Sequence, residues 1–159
     1  MTTLKMNLSL QDLGFRNKIK RLRVAVRGPV LEKAVRAGGT QLIGYIKVNI
    51  NARGLIDTGN LIGSVIEDEF HVEKLSAWVT VGPHAVYAAI HEFGGVIRPT
   101  NGPFLVFQTK DGVWHQTRSV TIPARPYVRP AIDEHEEDIV QTVRVVLDAE
   151  IQKAWAANG

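Results

Sequence analysis

An α+β fold is expected from two features of this chain. Apolar residues recur at helical spacing over residues 29–51 and again from Pro130 onward, and between these stretches lie short apolar runs separated by turn-forming residues. Together they predict one domain spanning residues 1–159. It has an antiparallel sheet of about four strands, two N-terminal helices, a short inserted helix and a long C-terminal helix packed on the sheet.

Residues 1–13 carry little periodicity and read as a flexible arm. Phe15, Ile19, Leu22 and Val26 mark one face of a first helix, with Arg16, Lys18, Lys20, Arg21 and Arg23 between them and Arg27 just after. Gly28-Pro29 ends it. A longer helix follows from about Pro29 to Asn51, with Leu31, Val35, Leu42, Tyr45 and Ile46 as its stripe and Gly38 on the same side. Each glycine of Gly38-Gly39 weakens a helix by about 1 kcal/mol relative to alanine, so a kink or a close backbone approach is expected there.

Asp57-Thr58-Gly59-Asn60 reads as a turn whose glycine takes φ > 0. Leu61 to Phe70 and Ser76 to Gly82 alternate well enough to form a hairpin. Gly82-Pro83 then turns the chain, Pro83 starting a short helix. Val86, Ala89, Ile90 and Phe93 would form its apolar face, and Gly94 its left-handed cap. Val96 to Pro103 holds two prolines and a glycine and reads as an extended loop. Phe104–Gln108 and Val113–Val120 are two further strands about a Lys110-Asp111-Gly112 turn. Pro130 opens the last helix; Asp133, Glu134, Glu136 and Glu137 suit its positive end. Ile132, Ile139, Val143, Val146 or Leu147, Ile151 and Trp155 would be its buried stripe.

A chain of 159 residues without cysteine can build a core but neither a disulfide framework nor a thiolate metal site. No signal-peptide core and no membrane-length apolar run is visible, so synthesis and residence in the cytosol, or in a particle assembled there, are expected. The net charge of +3 is unevenly spread. Residues 1–60 hold 11 Lys/Arg against 3 Asp/Glu, and residues 61–159 hold 8 against 13. Such a split suits head-to-tail association of copies, or nucleic-acid contact by the basic half. For the helix carrying Arg16 to Arg27, the simpler reading is a solvated face; the other is contact with DNA phosphates or an acidic partner.

Signals for chemistry are thin. His91-Glu92 lacks a second histidine four residues on, where Gly95 stands, and His84 sits beside Pro83. Leu55-Ile56-Asp57-Thr58-Gly59 matches the short aspartic-protease signature, but one triplet per chain completes a dyad only in a homodimer. Ser64 and Ser119 lack a glycine elbow and a readable base. No glycine pattern for a nucleotide occurs. No catalytic, metal or cofactor site is expected, and the role is expected to be non-enzymatic.

Four pieces in register resemble a phage family, the tail-completion or head–tail joining proteins of long-tailed bacteriophages, grouped as virion morphogenesis proteins. They are Asp57-Thr58-Gly59-Asn60-Leu61 with Ser64; Val81-Gly82; Tyr87-Ala88 followed by Glu92-Phe93-Gly94; and Pro123-Ala124-Arg125-Pro126-Tyr127-Val128-Arg129-Pro130-Ala131. The resemblance covers about residues 15–155. It implies a structural protein of the virion neck or tail, assembled in the host cytoplasm as a six-fold ring around the DNA channel. Its neighbours would be a connector or head-completion protein and a tail tube or tail terminator protein, with possible transient contact with phage DNA and none with a membrane. A tail terminator ring is the nearest alternative. By this likeness Asp57, Thr58, Gly59, Leu61, Gly82, Tyr87, Glu92, Phe93, Gly94, Pro126 and Pro130 hold the fold, and Arg98, Arg125 and Arg129 are the candidate subunit or partner contacts.

Overall fold

The computed structural model describes residues 5–6, 28–73 and 76–156. The expected basic helix, with Arg16, Lys18, Lys20, Arg21, Arg23 and Arg27, lies outside the described residues, as does all of the expected arm but Lys5 and Met6. In chain order the elements are β1 (Lys5–Met6), α1 (Gly28–Ala52), α2 (Asn60–Gly63), β2 (Val65–Glu73), β3 (Ser76–Pro83), α3 (Ala88–Phe93), β4 (Gly95–Ile97), β5 (Leu105–Gln108), β6 (Trp114–Thr117), β7 (Val120–Ile122), α4 (Val128–Asp133) and α5 (Glu136–Ala156). The chain divides into two compact units, residues 1–85 with 127–159, and residues 86–126.

Helix α1 organises the first unit. It runs unbroken through Gly38-Gly39 and buries Leu31, Ala34, Val35, Leu42, Ile46 and Ile50. Full burial of one such Leu, Val or Ile side chain contributes about 1.5–3 kcal/mol. These positions take up two sides of the helix rather than one stripe. On one side α1 packs against β2 and β3, on the other against α5. The adjacent glycines serve one neighbour each. A Cβ on Gly39 would lie 2.9 Å from Val79 Cγ1 of β3, and one on Gly38 would lie 2.6 Å from Val143 Cγ2 of α5. The glycine pair therefore marks a close approach on both sides and no kink. It also corrects the expected layering, since the C-terminal helix packs chiefly on α1 and α1 covers the sheet.

The sheet of this unit has three strands, in the order β1-β3-β2, all antiparallel. The remaining strands form two separate pairs, so the single sheet of about four strands is not found. The β2–β3 hairpin is as expected, with a bulge between Glu67 and Phe70. Its start differs: residues 60–63 form a helical turn and the strand begins at Val65. Gly59 at φ 81° turns the chain, Gly63 N–H donates to its carbonyl at 2.9 Å, and the Ser64 hydroxyl donates to the Leu61 carbonyl at 2.8 Å. These bonds capture Leu61, which is buried, in a turn. Arg36 of α1 pairs with Glu67 and lies 4.6 Å over the Phe70 ring, fixing the helix to the bulge.

The C-terminal helix is two pieces. Val128 begins α4, two residues before the expected start at Pro130, and the chain breaks at Glu134–His135 before α5. Tyr45 stacks on His135 at 3.7 Å between ring centres, and its hydroxyl donates to Asp138 at 3.3 Å, so α1 holds the break. Ile139, Val143, Leu147 and Ile151 are the buried stripe of α5. Its first turn carries Glu136, Glu137 and Asp138, where the macrodipole favours anions.

In the second unit β4 pairs with β7 and β5 with β6. Two expectations fail here, and a third just before it in the first unit. Val96 and Ile97 belong to β4 rather than to a loop, because Thr121 and Val120 offer them a ladder. The strand expected over Val113–Val120 is divided between β6 and β7. Pro83 ends β3 opposite Val65 and starts no helix.

Candidate assembly surface

Helix α3 turns an unexpected face inward. Ala88 and Glu92, four residues apart, are its buried positions, while Val86, just before it, is fully exposed and Phe93 is 50% exposed. The expected apolar face therefore points largely to water. Tyr87 is exposed and meets the half-buried His91 edge-on at 5.8 Å.

Gly94 joins α3 to β4 with φ 69° and ψ 180°, a positive-φ extended conformation essentially restricted to glycine and distinct from the left-handed cap expected. A Cβ there would lie 2.7 Å from the Ala124 nitrogen and 3.0 Å from the Ile122 carbonyl oxygen. The Arg125 N–H donates to the His91 carbonyl at 2.7 Å. Gly94 thus lets the chain beyond β7 lie flat against the end of α3.

The β5–β6 ribbon places Val106 opposite Gln116 and Gln108 opposite Trp114 on one face, and Phe107 opposite His115 on the other. Val106 at 64% and Trp114 at 68% leave the first face open, and Phe107 at 37% is exposed on the second. Phe104, Phe107 and Val113 are exposed as well. The turn is well made: Gly112 at φ 84° donates its N–H to Thr109, and Gln108 Nε2 donates to the Gly112 carbonyl at 2.7 Å. The sequence predicts this pair of strands but no contact role for their apolar residues. The signal was present in the unbroken apolar run Phe104-Leu105-Val106-Phe107, which marks a strand apolar on both faces.

The expected contact arginines are all exposed, but they do not form one cluster. Arg98 follows β4 beside the start of β7, whereas Arg125 lies past the far end of the same antiparallel pair. Arg129 is on α4, in the first unit. Of the residues expected to hold the fold, Leu61 and Glu92 are buried, Gly82, Pro126 and Pro130 half-buried, and Asp57, Thr58, Tyr87 and Phe93 exposed.

The outer side of α5 is acidic. Glu136, Glu137, Asp138, Val140, Gln141 and Arg144 line a concavity of about 650 Å³. Among the described residues no three histidine, aspartate or glutamate side chains gather as metal ligands. His84 lies 3.7 Å from Asp68, and His91 Nδ1 is buried without a partner among the described residues. No helix among the described residues is long and apolar enough to cross a membrane.

Residues 57–148, more than half the length of the chain, match the model of the phage virion morphogenesis family, and the chain belongs to that family. It is a structural phage virion protein. The match runs from the Asp57 turn to Asp148 of α5 and includes the whole 86–126 unit. No curated protein and no solved structure matches the chain.

Proposed function

We propose that this protein completes the tail, or joins it to the head, as a subunit of a ring at the head-proximal end of the tail. Its work there is contact between chains, with no reaction and no cofactor. The neighbours are further copies of itself, six to a ring, a connector or head-completion protein on one side and a tail tube or tail terminator protein on the other. Assembly takes place in the host cytoplasm and the finished site is the virion neck.

One observation carries this reading. Within the stretch that matches the family, the 86–126 unit holds ten of the fifteen large hydrophobic residues exposed among the described residues. Soluble monomers keep contiguous apolar patches small, and larger ones mark interaction sites. The test is sedimentation velocity and negative-stain microscopy of the purified chain, alone and with purified tail tubes. Rings that sit on one end of finished tubes are expected. Rings that stop tube growth would assign the tail terminator role instead. A chain that stays monomeric and leaves tube ends bare overturns the reading.

A further inference from the structure

Resting on the self-association proposed above, we infer that the 86–126 unit of one copy seats on the outer face of α4 and α5 of the next copy. The ribbon needs a cover: two strands alone are marginally stable in water, and this pair exposes apolar side chains on both faces. Charge selects the occupant. Residues 86–126 hold four cations, Arg98, Lys110, Arg118 and Arg125, all exposed, against two acids, of which Glu92 is buried. Residues 127–159 hold seven Asp/Glu against three Lys/Arg. A ribbon facing a second ribbon would set like charges against each other, which disfavours that pairing. An apolar ribbon rimmed by cations is complementary to an acidic face with an apolar centre.

The outer face of α5 has that composition. Glu137, Gln141, Val145 and Asp148 fall at helical spacing and are all exposed, with Val145 at 57%. The concavity of about 650 Å³ beside them has room for an aromatic side chain. Trp114, the most exposed aromatic residue among those described, is the anchor the ribbon offers. Ribbon and helix are different patches, so the contact is heterologous. It propagates from copy to copy until the ring closes.

The experiment uses two full-length variants, Trp114→Ala on the ribbon and Glu137→Lys with Asp148→Lys on the helix. All three side chains are exposed, and circular dichroism checks that both variants are folded. Sedimentation velocity should show self-association weakened at least about 30-fold in each variant alone, the loss that removing one anchor produces. An equimolar mixture keeps one intact ribbon and one intact helix face, so it should form dimers and stop there. Carbodiimide coupling of isotopically mixed parent protein should join the Lys110 amine of one copy to a carboxylate among residues 133–148 of another. Variants that assemble as tightly as the parent, or a mixture that stays monomeric, overturn this contact and leave the ring reading intact. A parent chain that never self-associates overturns both.

Discussion

Residues 28–85 with 127–156 bury eighteen of the nineteen hydrophobic residues in the core; residues 86–126 bury one, Ala88. The exposed large hydrophobics divide the other way, five against ten. Both regions use the same residue types, so the difference lies in architecture. In the first unit α1 stands between a sheet and a helix, and each side chain on two of its faces meets a partner. The second unit has one short helix and two pairs of strands, and a two-stranded ribbon has no inside. Its shape rests on backbone ladders, the Gly94 crossing and the Thr109–Gly112 turn. A region of 41 residues held in this way presents apolar surface instead of burying it.

The comparison is broken most directly by trading one aromatic residue in each unit. Tyr127 is fully buried in the first unit, and its carbonyl accepts from Asn49 Nδ2 at 3.2 Å. Tyr127→Ala should cost about 4 kcal/mol in denaturant unfolding, as deletion of a buried aromatic ring does. Trp114→Ala should move the same measurement by less than about 0.5 kcal/mol, because an exposed side chain contributes little to the monomer. Equal losses at the two positions would mean that the ribbon belongs to the core.

Gly94→Val attacks the second unit through its backbone. The positive-φ extended conformation is closed to a β-branched residue, and the added Cβ meets backbone atoms that cannot step aside. A loss of about 3 kcal/mol is expected, the upper end of what such backbone strain costs. Hydrogen exchange localises it: the amides of β4 and β7 should lose protection. Unchanged protection there would show that the crossing of Ala124 over Gly94 does not hold the unit.

Gly38→Val tests the first unit at its tightest contact. A Cβ already lies 2.6 Å from Val143 Cγ2, and two further methyl groups have no room between α1 and α5. Overpacking should destabilise the fold by about 2 kcal/mol. Adding Val143→Ala should recover part of that loss, since the two changes share one space.

The first unit was the more legible in sequence, and the reason is physical. Leu31, Val35, Leu42 and Ile46, and Ile139, Val143 and Leu147, repeat at the period of the helices they form and pack on their neighbours. What the spacing could not say is which neighbour, so the C-terminal helix is expected on the sheet; Gly38 and Gly39, where a kink or a close approach is expected, carry that information. In the second unit pattern and burial part company. Val86, Ala89, Ile90 and Phe93 have helical spacing, yet Ala88 and Glu92 face inward. An apolar face left at the surface looks in sequence just as a core face does. The strands fail for a related reason, because pairing of residues 95–97 with 120–122 spans a separation that local alternation does not encode.

The smallest effect separates the units by charge. Glu150 of α5 accepts from Lys33 of α1 at 2.7 Å and from Lys153 at 3.0 Å. The hydrogen bond from Lys33 first, and that from Lys153 second, holds its carboxyl below the ordinary glutamate range. A carboxylate with a depressed folded-state pKa binds fewer protons in the native than in the unfolded chain. Its contribution is therefore complete above the unfolded value, about 4.3, and is lost as pH falls through the lower folded value. Glu150→Gln should remove that dependence. Its unfolding midpoint should drop less steeply than the parent's as pH falls below about 4.3, with a small difference near neutrality, as for a surface ion pair. The protection of β4 and β7 amides should be the same in both proteins at each pH. If Glu150→Gln altered that protection while leaving the α1 and α5 amides unmoved, the division of labour between the two units would have to be redrawn.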